Sequence, residues 1–221
     1  MKKIFYFFGI LLVIWLVFIF IGFLSNKTEP VGVIHELPLQ QNLVLFYNKD
    51  LISSPPATWQ EFMDIKSAVP TGRQAAIGTA DNIEYAPEIL VLLMLEQGII
   101  WPDFGNDLGE RALKFYTQFA DSSKKVYTWD KDRENSLIEF SQDRIAIVFA
   151  YEKDKSQFAN TNYNISRIPV IDISQPVPEL PELSEDAKAV LAEMIESVAS
   201  GRKSAEEAIS QGAGLIQELQ K

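Results

Sequence analysis

The sequence has no cysteine and a single histidine, His35, in 221 residues. The first absence removes disulfides, thiolate metal sites, a cysteine nucleophile and a lipid-modified cysteine. The second removes any histidine-rich metal centre. Positive charge is also short, with 20 Lys+Arg against 30 Asp+Glu. Such a chain lacks the footprint that nucleic acid or an anionic lipid surface requires. There is no Gly-rich phosphate loop, no Gly-x-Ser-x-Gly elbow and no His-Glu-x-x-His. No cofactor, metal set or catalytic set is therefore expected. Acidic pairs such as Glu185-Asp186 and Glu206-Glu207 fall in the first turns of helices, where they complement the helix dipole. Asp130, Asp132 and Glu134 lack the glycine turn and distal glutamate of a calcium loop. The triplet Asn164-Ile-Ser fits a glycosylation acceptor, a pattern too short to carry weight.

What the sequence does have is a long apolar run. Residues 4–24 hold 21 residues without a charge or an amide. As a helix they would measure roughly 31 Å, enough to cross a bilayer core. Lys2 and Lys3 precede the run, and no small-x-small cleavage pair ends it: the first alanine is Ala57. The expectation is an uncleaved signal anchor over 1–25, with the lysines cytoplasmic and residues 26–221 extracellular or periplasmic. A polar spacer follows over 26–36, and residues 37–221 are ample for one core.

Periodicity then alternates between strand and helix. Leu43–Tyr47 reads as a strand, and Thr58-Trp-Gln-Glu61 as a capping box opening a short helix. Gln74–Thr79 reads as another short strand. Residues 86–97 form a strongly apolar helix, with Pro87 in its first turn and Gly98 past its end. Helices are also expected over 107–120 and 135–142, and a strand buried on both faces over 144–151. Residues 165–173 read as extended. The proline-rich stretch 173–181 is an arm, and two helices, 184–200 and 205–220, close the chain. This alternation gives an α/β class with some parallel pairing. No internal repeat is visible.

Several segments resemble a known family in their order along the chain. They are Leu37-Pro-Leu with Leu43-Val-Leu-Phe-Tyr-Asn-Lys-Asp-Leu51, then Pro-Pro-Ala-Thr-Trp-Gln-Glu-Phe62, Ala112-Leu-Lys-Phe-Tyr-Thr-Gln-Phe119 and Val126-Tyr-Thr-Trp-Asp130. Phe140 through Tyr151 and Gly201-Arg-Lys-Ser-Ala-Glu-Glu-Ala208 complete the series. Together they are similar to the second lobe and closing helices of extracellular solute-binding proteins, the maltose-binding group that serves carbohydrate-type ABC importers. The segment preceding Leu43 is too short to hold the family's first lobe. The resemblance therefore implies one lobe of a periplasmic-binding-protein-like fold, tethered by the transmembrane helix.

That resemblance also implies a binding role, with a carbohydrate or similar polar solute, ABC permease subunits as partners, and a second copy or separately encoded lobe to complete the cleft. It places Tyr127, Trp129 and Tyr151 near the cleft, with Asp130 and Glu152 as adjacent acids and Asn48 ending the first strand. The chemistry suits sugars, since aromatic faces stack on a pyranose while carboxylates and amides take its hydroxyls. For each aromatic the alternative is packing with a satisfied polar tip. Trp59 reads as structural and Trp101 as either. A second reading is a scaffold that has lost its solute and exposes an apolar patch around Leu37, Leu39 or Trp101. An enzyme would need a nucleophile–base set that the sequence does not show.

Overall fold

A computed structural model describes residues 43–65 and 68–219. The anchor expected over 1–25, the spacer over 26–36, His35 and the Leu37–Leu39 patch lie outside them. No helix among the described residues is long and apolar enough to cross a membrane.

Three strands form the sheet: β1 (Leu43–Asn48), β2 (Ile147–Tyr151) and β3 (Tyr163–Ser166). Their order is β2-β1-β3, and both ladders are antiparallel. β2 and β3 therefore run the same way with β1 between them. The connection over 152–162 is a crossover that skips one strand. The expected parallel pairing is confined to two isolated bridges, Thr58 with Val170 and Ala75 with Ile147. Of the strand expected over 74–79, only that bridge forms. The backbone turns away after it, at Gly78, where φ is +124°.

Both sheet faces are covered. Leu45 and Phe149 are paired on one face, where Phe149 meets the rings of Trp59 and Phe62 at 5.9 and 5.8 Å. Phe46 on the other face lies 5.0 Å from Phe158 and 6.4 Å from Phe140. Sequence alternation cannot appear in strands enclosed on both sides, which explains the continuous apolar runs of β1 and β2.

Among the described residues six α-helices accompany the sheet: α1 (Trp59–Asp64), α2 (Ala86–Glu96), α3 (Asp107–Thr117), α4 (Ser136–Ser141), α5 (Glu185–Ala199) and α6 (Ala205–Leu219). The Thr58 hydroxyl accepts from the Glu61 amide at 3.1 Å. Glu61 reaches back to the Ala57 amide, at 2.7 Å, rather than to that of Thr58. The Thr58–Val170 bridge sits beside this turn, where the Trp59 amide donates to the Val170 carbonyl. Ser204 and Glu207 form a complete reciprocal box ahead of α6. α2 is buried from Ala86 through Met94 and packs against α3 and α5, with α6 closing the cluster. A helix apolar on every side belongs in such a position.

Candidate functional site

The candidate site lies where β2 ends and α2 begins. Tyr151 is the last residue of β2, and Tyr85 immediately precedes α2. Their rings meet edge to face, 4.8 Å apart at 88°. The Tyr85 hydroxyl donates to Asp154 Oδ2 at 2.8 Å, and the same oxygen accepts the Tyr151 amide at 3.1 Å. Asp154 thus pins the two tyrosines together. Burial, then the bond to Asp154, pushes the Tyr85 hydroxyl well above the ordinary phenol range. Burial, then the charge of Glu88, raises that of Tyr151. Both phenols stay neutral; the Tyr85 O–H is committed to Asp154, which leaves the Tyr151 O–H as the donor for a solute.

The two rings line an open cleft of about 830 Å³, walled on its far side by residues 179–183 and by the start of α5. At its base is Glu88, only 3% exposed. One carboxylate oxygen faces Lys188 Nζ at 3.3 Å, and Lys188 also pairs with Glu185 at 3.1 Å. The other oxygen, Oε2, is shielded from water and has no hydrogen-bond partner. Burial opposes the Lys188 charge, but hydrogen bonding to Glu185 and the charge of Glu88 outweigh it and raise the ammonium pKa. Lys153 Nζ stands 5.1 Å from the centre of the Tyr151 ring. The arrangement offers aromatic faces, one phenolic donor from Tyr151 and a carboxylate acceptor. It offers no nucleophile–base pair, and among the described residues no cluster could hold a metal ion.

Of the six residues expected to contact a solute, the structure brings Tyr151 into this cleft, with Glu152 following as the next residue. Asn48 sits at the opposite end of the sheet, since antiparallel pairing sets Leu43 against Tyr151 and Tyr47 against Ile147. Its amide donates to Asp143 at 2.7 Å, and its oxygen accepts the Asp50 amide. The expectation that Trp129 stacks on a solute meets a ring with no exposed surface. Its indole N–H donates to Asn82 Oδ1 at 2.8 Å, and the Arg133 guanidinium covers its face at 4.5 Å. Tyr127 and Asp130 bond each other at 2.7 Å, which raises the Tyr127 pKa. These three belong to one loop stitched to Asn82, which also donates to the carbonyls of Asp130 and Arg133.

Among the described residues, the other two tryptophans, Trp59 and Trp101, pack against the core. Trp59 donates to Glu96, and Trp101, half-buried, stacks on Phe104 at 5.5 Å.

Tyr85, Glu88, Lys153 and Lys188 are lining residues that the sequence reading missed. One signal was present: α2 reads APEILVLLMLE, with a single acid inside nine otherwise apolar, buried positions. An ionisable group retained on a helix buried on all sides calls for a partner or a task.

Comparison with curated proteins finds no match to this chain. The sequence model of the bacterial extracellular solute-binding proteins does match, over residues 24–193. That span takes in the sheet, both cleft tyrosines, Glu88 and the wall facing them. By this match over most of its length, the chain belongs to the bacterial extracellular solute-binding protein family.

Proposed function

We propose that the protein is the solute receptor of an ABC-type importer. It captures a carbohydrate or similar polar solute in the Tyr85–Tyr151 cleft, held to the outer face of the membrane by residues 4–24. The observation that carries this reading is the pairing of two clamped tyrosines with a buried carboxylate in the lining of an open cleft. An aromatic wall beside a fixed acceptor is the combination a pyranose needs, one apolar face and a ring of hydroxyls. The receptor does no covalent chemistry and hands its solute to permease subunits.

Tyr151 is the principal contact and Glu152 its neighbour. Tyr127, Trp129, Asp130 and Asn48 act through the loops they hold. Because the cleft is open on one side, affinity is modest until a second copy or a separately encoded lobe covers it.

Thermal unfolding of the full chain in a mild detergent, against neutral mono- and oligosaccharides, tests this. A ligand at about a hundredfold its Kd stabilises by about 2.7 kcal/mol, which raises Tm by roughly 5–11 °C for a domain of this size. Tyr151→Ala removes the rise. A cooperative transition that no probe moves, neutral or charged, overturns the reading.

A further inference from the structure

We infer that the solute carries a protonated primary amine, which docks on the Glu88 carboxylate. This rests on the Tyr85–Tyr151 cleft being the solute site. It goes further by assigning a charge to the ligand. The first observation is Glu88 itself, a cleft-lining carboxylate 3% exposed with one oxygen lacking any donor. A buried carboxylate oxygen without a donor is costly, and a ligand that supplies one recovers the loss.

The second observation is the charge balance around it. Four carboxylates line the cleft, from Glu88, Glu179, Glu182 and Glu185, against two ammonium groups, from Lys153 and Lys188. Lys188 is already shared between Glu88 and Glu185, while Glu179 and Glu182 make no ion pair among the described residues. The cleft is therefore net negative by two and repels acids.

The third is that the Tyr151 face already holds a cation. Lys153 sits over the ring on an exposed, flexible side chain. A ligand ammonium can displace it and keep the same cation–π attraction. Lys188, one-third exposed at its side chain, covers Oε1 of Glu88 and must give way for the amine to take its place.

Titration calorimetry of the full chain at slightly acid pH tests the inference with four probes. Glucosamine carries amine and ring, glucose the neutral ring, glucuronate an acid on the ring, and putrescine amines without a ring. A charge-assisted hydrogen bond corresponds to roughly ten- to a hundredfold in affinity. Glucosamine is expected to bind at least about tenfold more tightly than glucose, with glucuronate weakest. Putrescine binding as tightly as glucosamine would place the amine on a linear solute and leave the Glu88 contact standing.

Glu88→Gln should erase the preference for amine over neutral sugar while unliganded unfolding stays cooperative. Should that variant fail to fold, Glu179→Gln with Glu182→Gln should lower the ratio of glucosamine to glucose affinity several-fold, and an unchanged ratio would overturn the inference. Equal affinity for glucose and glucosamine overturns the inference but leaves the solute-receptor reading intact. Silence from all four probes overturns both.

Discussion

Glu96 shows what burial does to a single side chain. Its Oε2 accepts the Trp59 indole N–H at 2.7 Å, while Oε1 is buried without a partner. Burial lifts the carboxyl to about 7 from 4.5, against the opposing pull of the Trp59 and Ile171 donors. Between those values the folded chain keeps a proton that the unfolded chain has released. Stability is therefore full below about pH 4.5, falls as pH rises toward 7, and levels off above it. In Glu96→Gln that contribution to the slope of Tm against pH should vanish, as calorimetric scans across the window would show.

Trp129 makes the opposite kind of prediction. With its ring enclosed and its N–H on Asn82, Trp129→Ala should cost about 3–5 kcal/mol of unfolding free energy, measured in urea. An unaltered midpoint would return the residue to the surface role its sequence position suggests. Gly78 is a third case: its φ is +124°, and a Cβ there would come within 2.7 Å of the Ala120 amide nitrogen. Gly78→Ala should destabilise by about 2 kcal/mol or more, with the Tyr116 hydroxyl bond to the neighbouring Thr79 carbonyl disturbed as well.

Among the elements, helices carried their own labels in the sequence. Asn106, Asn135 and Ser184 each accept from amides of the first turn they precede, and Gly98 and Gly201 follow α2 and α5 with positive φ. Such caps are local, so they can be read from a few adjacent residues. Ser204→Ala should lower stability by about 1 kcal/mol, visible as a modest Tm loss with cooperativity kept. Strand direction was less legible. Nothing in Leu43–Asn48 or Ile147–Tyr151 reveals that they pair antiparallel, because the partner lies about a hundred residues away and both faces are apolar. That one fact separates Asn48 from Tyr151 by the length of the sheet. The cleft was half legible for the same reason. Tyr151 stands out at a strand end, whereas Tyr85 and Lys188 become site residues only because α2 and α5 pack side by side.

At the scale of the whole molecule, the anchor is tested by fractionation. A chain held by residues 4–24 keeps Met1–Ser25 in its mature form and stays with membranes through carbonate extraction. A mature form beginning near residue 26 and released to the supernatant would overturn that. The sheet order carries a different consequence, one of timing. β1 is the first strand of the described chain, and it lies between β2 and β3. As the chain is made, Leu43–Asn48 appears with both edges bare and waits for Ser166 before both are paired. During that interval a strand whose two faces are both destined for the core has two unpaired edges, the state in which strands pair with wrong neighbours.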